Sequence, residues 1–94
     1  MFLFIDRAAG PSQWADLGIY LQSVMLLLTE AGLSSCAQIS WTAFHTIVRD
    51  ALEIPDNLML YCGLSIGHAD PDAPVNGVIA DRADPVDVLH ILKD

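Results

Sequence analysis

The longest apolar stretch of the chain covers residues 14–33 and has the spacing of a helix. One face of that helix would carry Leu17, Leu21, Val24, Met25 and Leu28. Much of its remaining surface would also be apolar, with Ile19, Tyr20, Leu26 and Leu27. A helix that is apolar around most of its circumference is buried rather than solvated. We therefore predict a central helix over residues 13–32, capped by Ser12 and stopped at Gly32. It would be covered partly by its own chain and partly by a partner.

Shorter patterns predict the other elements. Two apolar runs, at residues 2–6 and 58–67, are typical of buried strands, and residues 42–52 have helical spacing that places Phe44, Ile47, Val48 and Ala51 on one face. The small residues 34–40 predict a loop, and Gly63 predicts a bulge or the close approach of another backbone. Residues 78–94 form a C-terminal tail whose end is a helical turn or an edge strand. The predicted fold class is α+β: a single partial domain with two apolar strands packed on the long helix.

A membrane span is the rival interpretation of the long helix. Asp16, Gln22 and Glu30 interrupt or bracket the apolar run, and its uninterrupted part is only residues 24–28. A bilayer requires about 20 consecutive apolar residues. We therefore predict no membrane partner.

The composition of the chain shows an excess of apolar residues. Hydrophobic residues make up 53% of the 94 positions and charged residues 17%, against about 45–50% and 25% in ordinary domains. The excess favours a large interface or an incomplete domain over the alternative of a compact monomer. A net charge of −8 with four Lys and Arg residues excludes nucleic acid as a partner. Two cysteines, with no signal-peptide pattern at the start, indicate a reduced, cytoplasmic setting.

Residue chemistry identifies no catalytic group and no metal site. Cys36 has no base near it in sequence, so a structural role is favoured. The three histidines do not have metal-ligand spacing. The segment from His68 through Asp70 to Asp72 lacks the full calcium-loop pattern and predicts a polar turn. From these residues alone the chain is an acidic, helix-centred α+β unit that binds a partner.

Four sequence motifs, taken together, indicate a protein family. They are WADLG at residues 14–18, GLSSCAQ at 32–38, GLSIGHADPDAPVN at 63–76 and DRADP at 81–85. In this order they resemble the C-terminal half of an FMN-dependent nitroreductase. The resemblance implies an α+β sandwich with a mainly antiparallel sheet and an obligate homodimer built on long central helices. It also implies FMN at the interface and ping-pong reduction of a nitroaromatic, quinone or similar acceptor at the expense of NAD(P)H.

The same resemblance implies the site residues. Ala37, Gln38, Ile39 and Ser40 match the segment beside the isoalloxazine ring, where a main-chain N–H donates to flavin N5. Arg82 matches the arginine that pairs with the FMN phosphate. The alternative for Arg82 is a salt bridge to Asp81 or Asp84.

Length is the main departure from the family pattern. These 94 residues contain no counterpart of the family's arginine-rich phosphate segment, ribityl contacts or cation near flavin N1. We therefore expect a truncated or half-length member that binds FMN weakly and turns over slowly. One alternative is a non-catalytic dimerising module that retains the family core without the cofactor. Another is a small acidic regulator that binds a protein partner.

Overall fold

A computed structural model describes residues 1–92. Three strands, three α-helices and two 3-10 helices follow one another along this part of the chain. In order they are β1 (Phe2–Asp6), α1 (Pro11–Glu30), β2 (Ser34–Gln38), a 3-10 helix (Ile39–Phe44), α2 (His45–Ala51), β3 (Leu58–Gly67), a second 3-10 helix (Pro74–Gly77) and α3 (Pro85–Val88).

The three strands form one antiparallel sheet with β3 in the middle. β1 pairs with one edge of β3 from Phe2 opposite Gly63 to Asp6 opposite Leu58, with a register shift after Leu3. The run of apolar residues in β3 fits this central position, because a central strand is paired on both edges and can be covered on its faces.

β2 corrects the prediction of a loop over residues 34–40. Residues 34–38 pair with β3 in an unbroken register from Ser34 opposite Gly67 to Gln38 opposite Gly63. Small polar side chains have weak strand propensity, but this propensity depends strongly on context. The second edge of β3 needs hydrogen-bond partners, and β2 supplies them. The sheet therefore has three strands, not two.

The ends of α1 also differ from the predicted bounds of 13–32. The helix begins with Pro11 at its first position, and Gly10 rather than Ser12 is the N-cap residue. The Gln13 side chain accepts a hydrogen bond from the Gly10 amide at 2.9 Å, which fixes this start. Gly32 follows the helix with a φ of +76°, a conformation that glycine adopts at little cost.

Only one face of α1 packs against the sheet. That face contacts the buried core residues Leu3, Cys62 and Leu64. The contacting residues are Leu17, Leu21, Val24, Met25 and Leu28, together with Tyr61 of β3. The outer face leaves Ile19 and Leu27 67% and 63% exposed. The central helix is therefore covered on one side by residues 1–92 and open on the other.

The predicted helix over residues 42–52 is split in two. A 3-10 helix runs to Phe44 and α2 begins at His45. No side chain caps the first helix, and the Thr42 hydroxyl instead donates to the Ile39 carbonyl at 2.8 Å. Of the apolar face predicted here, only Val48 is buried, while Phe44 and Ile47 are exposed. The apolar face predicted over residues 42–52 is therefore mostly uncovered within residues 1–92.

The tail beyond β3 packs little against the rest of the chain. Every described residue from His68 onward is exposed except Ala73, which is half-buried. Near its end the described tail forms one helical turn, α3, whose N-cap residue Asp84 accepts from the Val86 amide at 3.0 Å. Residues 93 and 94 of the predicted tail lie outside the described residues. The radius of gyration is 17.1 Å, against about 12 Å for a compact chain of this length.

None of the helices in residues 1–92 has both the length and the apolar content that crossing a membrane would require.

Candidate functional site

The four residues predicted to lie beside a flavin ring sit where β2 turns into the first 3-10 helix. Ala37 and Gln38 end the strand, and Ile39 and Ser40 begin the helix. No side chain caps this helix. The first N–H groups of any helix have no partner inside it. The turn can therefore offer main-chain donors to a bound group.

The side chain of Gln38 lies at the centre of a small hydrogen-bond network. Its Oε1 accepts from the indole Nε1–H of Trp41 and from the hydroxyl of Ser65, both at 3.0 Å. The two donors belong to the 3-10 helix and to β3 respectively. The network therefore ties the turn at the end of β2 to the central strand.

Trp41 lies directly over Gly63. A Cβ atom built on Gly63 would be 2.4 Å from Cδ1 of the indole, a separation that real Cβ atoms do not show. The ring of Phe2 meets Trp41 edge-on, with centroids 5.3 Å apart. The close approach predicted at Gly63 is therefore made by a side chain, not by another backbone, and the sheet irregularity lies instead beside Leu3 and Phe4.

These groups line one open depression of about 290 Å³. Phe2, Gln38, Trp41, Gly63 and Ser65 form most of its wall. Sequence reasoning placed Gln38 in the site but missed Trp41 and Ser65. The signal for Trp41 was Gly63, since a glycine inside an apolar strand indicates that a neighbouring group comes close.

Arg82 lies in the exposed tail between the second 3-10 helix and α3. Its Nη1 donates to the carbonyls of Ala80 and Asp81, at 3.1 and 2.9 Å. The alternative of a salt bridge to Asp81 or Asp84 is not formed, because the ion pairs within residues 1–92 both involve Arg49. Most of the guanidinium is therefore available to an anion.

The tail that carries Arg82 and the turn that carries Gln38 leave the sheet at opposite ends of β2. The tail leaves β3 at Gly67, which is paired with Ser34 at the start of β2. Gln38 lies at the other end of that strand, roughly 14 Å away at about 3.4 Å per residue.

Cys36, Cys62 and Asp70 have separate environments within residues 1–92. Cys36 is exposed on β2, whereas burial of Cys62 raises the pKa of its thiol. Asp70 holds a polar turn, in which its carboxylate accepts from the Asp72 amide and its carbonyl from the Asn76 side chain. No group of three or more potential metal ligands occurs among residues 1–92.

Comparison with known proteins gives consistent results. Residues 2–68 match the model of the nitroreductase family. The chain is 38% identical over 78 residues to a 4-nitrobenzoate reductase of Pseudomonas putida, a match that covers 83% of this chain and 34% of the relative. The chain thus spans about a third of the length of that relative.

Solved structures agree over nearly the whole chain. The FMN and NADPH-dependent nitroreductase NfnB of Sphigopyxis sp. strain HMH has a TM-score of 0.94 at 46% identity, covering 99% of this chain and 42% of that one. The FMN-dependent nitroreductase NfnB of Mycobacterium smegmatis, in complex with NADPH, has a TM-score of 0.93 at 34% identity. That match covers 98% of this chain and 41% of the other.

Proposed function

The chain belongs to the nitroreductase family, and from that premise we propose that it supplies the ring-binding side of an FMN site. The reaction would be reduction of nitroaromatic, quinone or similar acceptors with electrons from NAD(P)H. The observation that carries this proposal is the agreement with two FMN-dependent nitroreductases over at least 98% of the chain. We further propose a cytoplasmic location, which the two free cysteines favour.

The residues at the end of β2 suit the ring of FMN. A main-chain N–H in the turn at Ile39 and Ser40 would donate to flavin N5, and Gln38 and Trp41 would form the adjacent wall. Bound FMN would supply the two-electron chemistry of the site. A main-chain donor orients the ring without adding a group that titrates.

Arg82 is the residue of this chain that would hold the FMN phosphate. A guanidinium can donate two parallel hydrogen bonds to a phosphate. The neighbouring acidic residues Asp81, Asp84 and Asp87 oppose that anion. We therefore propose that the phosphate is held weakly by the described residues alone.

FMN titration tests this assignment. Arg82→Ala should weaken FMN binding by about 1.5–3 kcal/mol, the scale of a charged hydrogen bond. The measurement is quenching of FMN fluorescence at fixed ionic strength. Arg7→Ala is the matched control, because it removes the same charge from a residue that contacts the Asp56 carbonyl. Equal affinities for the wild type and Arg82→Ala would rule out the phosphate role.

We also propose that two copies associate through the outer face of α1. Four large apolar side chains lie on that face, and the tail leaves several more without cover from residues 1–92. They are Ile19, Tyr20, Leu26 and Leu27 on the helix, and Val75, Val78, Ile79, Val86, Val88, Leu89, Ile91 and Leu92 on the tail. Burying these side chains against a second copy would stabilise the assembly by about 25 cal/mol for each Å² of apolar surface removed from water.

Light scattering at micromolar concentration measures this association. The wild type should be a dimer or a higher oligomer, and Leu27→Asp should shift it to monomer because the charge would be buried in the interface. Gln22→Asp introduces the same charge at an exposed position one turn before Leu26, at the border of that face, and should shift the mass less than Leu27→Asp. A monomeric wild type would contradict the proposal.

The open face of α1 also favours a second candidate function, a dimerising module that does not bind FMN. The two functions differ in a simple observation. A dimer that fails to quench FMN fluorescence at any concentration would support the module. A dimer that quenches it would support the flavoprotein.

A further inference from the structure

The amide of Gln38 has an orientation that its neighbours determine. An indole N–H can only donate a hydrogen bond. The atom that faces Trp41 Nε1 at 3.0 Å must therefore be the amide oxygen of Gln38. The Ser65 hydroxyl donates to the same oxygen at 3.0 Å. Both bonds fix the amide plane, so its NH₂ group cannot exchange places with the oxygen.

The NH₂ group is consequently the free end of the network. None of the hydrogen bonds among residues 1–92 uses Nε2 of Gln38, which retains two donor hydrogens. Gln38 is half-buried and lines the open depression together with Trp41, Gly63 and Ser65. A donor that is held in place before binding loses little conformational freedom when a ligand arrives.

We propose that Gln38 Nε2 is a ligand-binding donor that recognises an acceptor oxygen on a planar aromatic ring in this depression. The inference rests on the proposed function, which offers two sources of such an oxygen. One is a pyrimidine-ring carbonyl of FMN, and the other is the nitro group of the acceptor. Trp41 and Ser65 are positioning residues for this donor, because their hydrogen bonds hold the Gln38 amide in place.

Two substitutions isolate the donor. Gln38→Glu retains oxygens that can accept from Trp41 and Ser65 but removes the NH₂ group. Gln38→Met has a similar length, has no donor and carries no charge. Ser65→Ala tests the positioning role, because it removes one bond to Oε1 and leaves both Nε2 and the Trp41 bond in place. Thermal unfolding of each variant establishes that the sheet is intact.

The binding measurements distinguish the two sources. If the flavin carbonyl is the ligand atom, both Gln38 variants should weaken FMN binding by roughly three- to tenfold, the range of a neutral hydrogen bond. The infrared C=O band of bound FMN should also move to higher frequency. If the nitro group is the ligand atom, FMN binding stays unchanged. The spectral titration of the FMN-loaded chain with 4-nitrobenzoate then weakens by the same factor.

The remaining outcomes overturn the proposal. A loss with Gln38→Glu alone would show repulsion by the new charge rather than loss of a donor. Unchanged binding of both FMN and 4-nitrobenzoate in both variants would show that Nε2 touches neither ligand. If the wild type itself fails to quench FMN fluorescence, the proposed function fails, and the Gln38 assignment fails with it. Failure of the proposed function is therefore recognised in the wild type, which would not quench FMN fluorescence. Failure of the Gln38 assignment alone is recognised when the wild type and both variants bind FMN and 4-nitrobenzoate equally well.

Discussion

Two regions of this chain are similarly rich in apolar residues, but only one of them buries any of these side chains. The sheet–helix unit, residues 1–67, contains all the buried apolar residues, including Leu64 at 2% exposure. The tail, residues 68–92, leaves Ile79 92% exposed. The difference lies in pairing, because β3 is hydrogen-bonded on both edges and covered by α1. Apolar content thus indicates which side chains are unfavourable in water. Strand pairing decides which of them this chain buries without a partner.

Alanine substitutions should separate the two regions most clearly. Leu64→Ala removes a fully buried side chain and should lower the free energy of unfolding by about 2–5 kcal/mol. Ile79→Ala, in the exposed tail, should change it by less than about 0.5 kcal/mol in the monomer. Urea unfolding of both variants at low protein concentration is the measurement. Equal losses would mean that the tail packs on its own sheet.

Glycine substitutions sharpen the comparison within β3. Gly63→Ala places a methyl group against Trp41 and should cost about 1–3 kcal/mol as the indole is displaced. Gly67→Ala meets no atom within 4 Å and should be nearly neutral. Unfolding free energies together with tryptophan fluorescence would report both effects. A neutral Gly63→Ala would show that Trp41 is not held over the strand.

The smallest expected effect concerns acid stability at the end of β1. The Asp6 carboxylate accepts hydrogen bonds from the Ala8 amide and the Asn57 side chain, which lower its pKa below the ordinary 3.8. In the acid range the unfolded chain then binds more protons than the folded one, so stability falls as pH falls below about 4. Asp6→Asn should flatten that part of the profile. Asp16→Asn is the control, and identical slopes for the two variants would exclude the effect.

Much of the fold could be predicted from local patterns. The apolar runs at residues 2–6 and 58–67 form β1 and β3, and the long apolar stretch forms α1. The motifs identified the nitroreductase family, which the family model confirms over residues 2–68. These features depend on short-range order, since residue spacing determines which side chains share a face.

The parts that could not be predicted depend on contacts between distant residues. Sequence alone determined the family, the α+β class and the apolar residues that need cover. Only the tertiary structure made residues 34–38 a strand, because the partner that favours pairing is β3, far away in sequence. It alone also set the Gln38 amide between Trp41 and Ser65. A hydrogen bond between Gln38 and a residue 27 positions away leaves no periodic trace in the sequence, so no pattern could reveal it.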